Sequence, residues 1–484
     1  MGRYGDYENS VFKQLQEVMG RLDSVEKDLR IEKREHKEDV KRLEKMIEKK
    51  DEEIKVLKKD NERMRRIINN DSSNSSLPPS SDRKGKPANT YNSREKSDRK
   101  VGGQIGHKGT TLTKADVEKK IQEGKLAHTI TSHGCGTGKY VSKYVIDLQV
   151  TATAHEHRFY ADEKGEINIP EKYKSDVSYG SFIKAMSVEL YSVGVMANDR
   201  ICEFINTISG NALAISKGSV YGFCKKFAQK AEPSATQIKE ELLNAKTIST
   251  DATVMTVNGK TAYIRNQSTS EAVLYSAMES KNIDTLKTTG VLSDYTGTLV
   301  HDHETALYRF GTAHGECNVH LLRYLKKNTE ETGNQWSSEL SELLCAMNIQ
   351  RKKYIAENAV FTAAQIADYY QKYSELIEKG RVQNKQTKGE LAKREERTLL
   401  NRLDSYKDNH LLFLKDFSVP FENNMSERDL RKCKNRQKMS GGFRKQTGNE
   451  MYCTIMSVIE TCKRKEMQVF DSIRKIFEGT PAIF

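Results

Sequence analysis

Between Phe12 and Ile68 apolar side chains recur with a seven-residue period. Phe12, Met19, Val40, Ile47, Ile54 and Ile68 fall at one heptad position, and Leu15, Leu22, Leu29, Leu43, Leu57 and Met64 at the other. That period predicts one long helix with a coiled-coil seam, an oligomerisation element over residues 1–68. Glu26, Lys33 and His36 interrupt the seam. Asn61 stands in it, the residue type that sets register and strand number at a cost in stability.

The pattern stops at Asn69. Residues 69–112 are rich in Ser, Asn, Gly and Lys and predict a basic flexible linker, unable to bury enough apolar surface to fold alone. Residues 113–178 predict a small strand-rich module, because VIDLQVTATAHEHRFYADEKGEINI alternates and carries a turn at Glu163–Gly165. His133, Cys135, His155 and His157 lie here, but structural zinc sites show two close ligand pairs and this spacing is irregular. Zinc is therefore not expected there. Residues 179–240 predict helices, with Gly210 as punctuation and Ser216 as a cap. With Lys217, Lys225 and Lys226 this is consistent with a helix-turn-helix that reads DNA, although helix pairs of this kind are more often plain packing.

From Lys246 the period changes to that of strands. KTISTDATVMTV and KTAYIRNQS flank Asn258–Gly259, a strong hairpin signal, and EAVLYSAME supplies a third strand. A helix near 282–289, the apolar strand GTLVHDH, a short helix through Tyr308 and Phe310, and a strand around Glu316–Val319 follow. Three strands in hairpin succession and then alternating helices and strands predict a ribonuclease H-like α/β core over 241–465. A helical insertion occupies about 328–420, and a C-terminal helix and tail cover 466–484.

Composition narrows the partners. The 484 residues hold 80 Lys and Arg against 67 Asp and Glu, a net charge of +13. No segment is apolar enough to serve as a membrane span or a secretory signal, which predicts a cytoplasmic protein. Eight scattered cysteines fit a reducing compartment. The excess charge is local: residues 1–70 carry only +2, whereas 428–445 carry eight basic side chains (Arg428, Arg431, Lys432, Lys434, Arg436, Lys438, Arg444 and Lys445) against Asp429 alone. Such a run reads as a track for backbone phosphates. Ser440-Gly441-Gly442 adds a backbone able to approach a phosphate closely.

Asp251 falls within the first core strand and Asp302 at the end of the fourth, strands that lie side by side in this topology. Two such carboxylates can share divalent cations about 3.5–4 Å apart, and oxygen ligands suit Mg2+ or Mn2+. Glu427, beside the basic run, is the candidate third ligand; its alternative is a capping box at the start of a helix after Asn424. Glu304, two residues past Asp302, competes for the ligand role.

The chain resembles the transposases of the insertion sequence 66 family, which are DDE-type enzymes. The resemblance runs through NSSLPPSSD and GGQIGHKG, TDATVMTVNGK, GTLVHDHETALY, CNVHLLRYL and NNMSERDLRKCKNRQKMSGGFR. It implies a catalytic triad of Asp251, Asp302 and Glu427, two bound ions, and active-site shaping by Cys317 and His320 of a Cys-x-x-His element. Members commonly carry a Cys-rich zinc module after the linker, of which only Cys135 remains here. The implied activity is cleavage at mobile-element ends followed by strand transfer, with DNA, further copies of the chain and accessory proteins of the same element as partners, at the bacterial nucleoid. A nuclease of the same fold without strand transfer, a coiled-coil DNA-binding regulator and a coiled-coil scaffold are the rival readings.

Overall fold

The computed structural model describes residues 3–69, 112–133, 138, 140–482 and 484. The linker and Cys135 fall outside these. The chain is mixed α/β and mostly helical. By range it divides into two compact units. One takes in Met1–Thr90, Arg323–Leu340 and Leu376–Arg402; the other takes in Tyr91–Leu322, Ser341–Glu375 and Leu403–Phe484.

The heptad period does form a single helix, α1 (Arg3–Asn69). Its seam residues Phe12, Leu15, Met19, Leu22, Leu43, Ile47 and Leu57 are all exposed. The strands expected over 126–175 are absent among the described residues. Only α2 (Lys114–Gln122) and a short 3-10 turn at Glu171–Tyr173 flank an extended stretch whose Val145 and Leu148 are almost wholly exposed. A lone hairpin with nothing to pack on is marginal in water, so alternation alone does not make a sheet.

Four helices lead into the sheet: α3 (Ser181–Ser192), α4 (Asn198–Ile208), α5 (Lys217–Lys230) and α6 (Glu232–Asn244). Ser216 caps α5 through the Ser219 amide at 3.1 Å. The sheet comprises β1 (Thr247–Val257), β2 (Lys260–Ser268), β3 (Val273–Met278), then, after α7 (Ile283–Lys287), β4 (Thr298–His301) and β5 (Ala313–Glu316). Its order is β3-β2-β1-β4-β5. Asn258 and Gly259 both take positive φ, 49° and 73°, as the tight hairpin between β1 and β2 requires, pairing Val257 with Lys260. β4 runs parallel to β1 with Ser249 opposite Val300, so Asp251 and Asp302 do emerge from adjacent strands. β5 ends at Glu316, three residues before the expected boundary, because α8 (Asn318–Thr332) already begins there.

Helices α8, α9 (Gln335–Ala356), α10 (Ala363–Gln386), α11 (Glu390–Ser405), α12 (Lys407–His410) and α13 (Leu412–Lys415) fill most of the stretch before Glu427. Within the first unit, Glu396 is buried and accepts from Trp336 Nε1 (2.7 Å), Asn334 (2.6 Å), Asn384 (2.9 Å) and Thr387 (2.6 Å). Burial works against its charge, but these donors hold its carboxyl below the usual range.

The chain closes with α14 (Asn424–Ser440), α15 (Gln446–Arg464) and α16 (Val469–Glu478). α15 is buried along most of its length and covers the outer edge of β3. Thr461 and Ser457 hydroxyls accept the Val273 and Tyr275 amides at 3.1 and 2.8 Å, satisfying donors a bare edge would leave open.

Candidate active site

Three carboxylates gather beside the middle of β1 and the end of β4. Asp251 is on β1, and Asp302 immediately follows β4. Glu427 lies in the first turn of α14. That helix starts at Asn424 and no side chain caps it, so Glu427 is in its fourth position and makes no capping box. His320 stands between the last two, with Nδ1 3.3 Å from Asp302 Oδ1 and Nε2 4.0 Å from Glu427 Oε1. Glu427 Oε1 is buried and accepts no hydrogen bond.

Burial and mutual proximity set the electrostatics of the cluster. Burial, and then the neighbouring Asp302, push the Asp251 carboxyl up to about 7. Burial raises Asp302 too, but the hydrogen bond and charge of His320, with Asn423, outweigh it and leave that carboxyl below its ordinary value. Burial opposes charge on His320, yet bonding to Asp302 and Cys317 holds its proton up to about 11. A pair of half-buried carboxylates that repel, beside an unsatisfied glutamate oxygen, fits hard divalent ions bound through oxygen.

Two buried amides fasten this arrangement. Asn266, on β2, accepts the Asp251 amide at 3.1 Å and the Ser426 hydroxyl at 2.6 Å through Oδ1, and donates to the Ser426 carbonyl at 3.2 Å. Asn423 donates its side chain to the Thr250 carbonyl at 3.1 Å and its own amide to Cys317 Sγ at 3.2 Å. No sequence motif announces Asn266: a polar residue inside a strand reads as solvent-facing until the partner helix is known.

Glu304 is engaged by an arginine. It takes both oxygens to Arg265 Nη2, at 2.6 and 2.7 Å, and Arg265 is fully buried. His303, at φ 62°, turns the chain between them, and its Nδ1 is 2.8 Å from Glu316. Glu316 is itself buried and 3.2 Å from His410. The segment after Asp302 is thus tied on both sides.

The basic run divides. Arg428, Arg431, Lys438, Arg444 and Lys445 are exposed and form no ion pair among the described residues. Arg436 is buried instead, stacked 4.0 Å from the Tyr191 ring and donating to the Tyr191 and Met196 carbonyls. Lys432 pairs with Glu460, and Lys434 donates to the Val254 carbonyl at 2.8 Å. Only Arg436 is fully turned inward, while Lys432 and Lys434 are half-buried on different sides of α14, which a count of charges along the sequence does not register. Gly442 also serves the fold. Its φ is 117°, and a Cβ there would collide with the Thr256 carbonyl, because Phe443 bonds to β1 at that point. His155 and His157 lie on the exposed stretch before α3, with His157 against Tyr173.

A family model described as Transposase IS66 family matches residues 185–451, over half of the chain and the whole span from β1 to Glu427. A second, a family of unknown function (DUF6444), matches residues 14–113. No curated protein matches the chain. The elements that carry Asp251, Asp302 and Glu427 all fall inside the first match, and the chain belongs to the IS66 family of transposases.

Proposed function

We propose that this transposase is a DDE-type enzyme that cuts DNA at the ends of its mobile element and joins the freed ends to target DNA. One observation carries the reading: Asp302 at the end of β4 and Glu427 in the first turn of α14 flank His320, and Asp251 on the neighbouring strand β1 interacts with Asp302. The strand order, with three antiparallel strands and β4 and β5 parallel to β1, supports a ribonuclease H-like core.

Asp251, Asp302 and Glu427 would hold two Mg2+ or Mn2+ ions, whose chemistry is to stabilise the attacking and leaving oxygens of phosphoryl transfer. Water attacks the phosphodiester at the element end and releases a 3′-hydroxyl. That hydroxyl then attacks a target phosphodiester, displacing a target 3′-oxygen. Arg428, Arg431, Lys438, Arg444 and Lys445 contact backbone phosphates and contribute salt-dependent affinity rather than sequence choice.

The exposed heptad seam of α1 supports assembly of two or more copies on paired ends, with accessory proteins of the same element as further partners. No helix among the described residues is long and apolar enough to cross a membrane. The test is cleavage and joining of labelled element ends with Mg2+, comparing wild type with Asp302→Asn. Equal products reject the site. Cleavage without joining of pre-cut ends makes the protein a nuclease instead.

A further inference from the structure

In sequence, Cys317 and His320 are two ligand-type residues where a metal site needs at least three. The fold brings a third. Asp302, Cys317 and His320 each offer one ligand atom, and these atoms all lie within 4.8 Å of one another. We propose that these three side chains form an oxygen, sulfur and nitrogen tripod for one transition-metal ion of the zinc class, distinct in chemistry from the hard ions held by carboxylates alone. The proposal deepens the active-site reading, on which it rests through the shared Asp302.

The ligand set argues for that class. Thiolate and imidazole select zinc, cobalt and their neighbours, whereas magnesium takes oxygen and sheds water reluctantly. Tetrahedral zinc places its ligand atoms about 3.3–3.8 Å apart, given its bond lengths. The His320 and Asp302 atoms are already at 3.3 Å. Three protein ligands with an open fourth position is the pattern of a reactive rather than a purely structural ion.

The surroundings are those of a ligated pair. The Asn423 amide donates to Cys317 Sγ at 3.2 Å, the kind of bond that orients and steadies a metal thiolate. Glu427 lies 4.0 Å from the opposite ring nitrogen of His320, so a carboxylate charge faces the far side of the ring without a hydrogen bond to it. Cys317 and His320 are both buried, with Cys317 one residue before α8 and His320 in its first turn, so their separation is set by backbone geometry.

The full-length protein, stripped of metal, should be titrated with Co2+ while its absorption is recorded. Wild type is expected to develop a thiolate-to-cobalt charge-transfer band with tetrahedral visible bands. Zn2+ should abolish them, and excess Mg2+ should not. Cys317→Ser and Cys317→Asp should both lose the charge-transfer band, the second guarding against a cavity effect, and His320→Ala should weaken cobalt binding about tenfold or more. Cys135→Ser should leave the band intact. Absence of the band in wild type overturns the proposal. So does its survival in folded Cys317→Ser, or its loss in Cys135→Ser alone. DNA cleavage with Mg2+ is scored separately on wild type and Asp251→Asn: a cobalt band with no cleavage by wild type, or with cleavage surviving in Asp251→Asn, refutes the enzyme reading and leaves the tripod standing, and wild-type cleavage lost in Asp251→Asn without a band does the reverse.

Discussion

Asn266 accepts the backbone amide of Asp251 at 3.1 Å. The same oxygen accepts the Ser426 hydroxyl, one residue before Glu427, so a single buried amide ties the strand of the first carboxylate to the helix of the third. Asn266→Ala leaves the Asp251 amide and the Ser426 hydroxyl without that partner. We expect a stability loss of about 1–3 kcal/mol and, because small displacements of reacting groups are costly, a joining rate lowered about 100-fold. Denaturant unfolding and a strand-transfer assay measure the two. A rate unchanged in the folded variant rejects the positioning role.

Glu304 and Asp302 are two residues apart and should behave oppositely. Glu304→Gln strips the fully buried Arg265 of its carboxylate, an uncompensated charge that costs about 3–5 kcal/mol. Its Mn2+-induced rise in melting temperature should persist. Asp302→Asn should keep the fold and lose that rise. Thermal melts with and without Mn2+ compare them.

The acidity of Asp251 has a consequence for stability without metal. An acid raised from 3.8 to about 7 holds its proton more tightly in the folded chain than in the unfolded one. Its contribution is therefore complete below about pH 4 and is lost as the pH climbs through about 7. In EDTA, Asp251→Asn should melt higher than wild type at pH 8, with the gap closing toward pH 5. A gap that does not change with pH counts against the raised acidity.

Basic residues of one run should separate by experiment. Arg428→Ala, Arg431→Ala and Lys438→Ala should each reduce the slope of log affinity for DNA against log salt by about 1, with melting unchanged. Arg436→Ala removes a stacked, doubly bonded guanidinium from the interior and should cost about 3 kcal/mol of stability. Salt titrations by fluorescence anisotropy, alongside thermal melts, sort the two groups.

For α1, Leu43→Asp together with Leu57→Asp places charges on the seam. Light scattering should show the assembled mass falling toward that of one chain. An unchanged mass would mean that other surfaces hold the copies together.

The long helix, the hairpin at Asn258–Gly259, the strand bearing Asp251 and the strand end before Asp302 were legible in the sequence, because period and turn chemistry are local properties. Local pattern also misled. Residues 126–175 alternate like strands, but pairing needs a partner surface, and alternation does not say whether one exists. A capping box was consistent with the spacing before Glu427, yet α14 begins one residue earlier, with Asn423 directed to Thr250 rather than to its own helix.

Residue types by themselves determined the chemistry on offer: carboxylates, a Cys-x-x-His pair and a dense basic run. Tertiary structure alone decided which of them meet. It gave Asp302 to His320 and Cys317, paired Glu304 with Arg265, turned Arg436 inward, and made Asn266 the link between β1 and α14. The reason is range. Helix and strand propensities act over a few residues, whereas a site at the junction of β1, β4 and α14 joins positions up to 176 apart, from Asp251 to Glu427, and only the packing of those elements sets the distances between them.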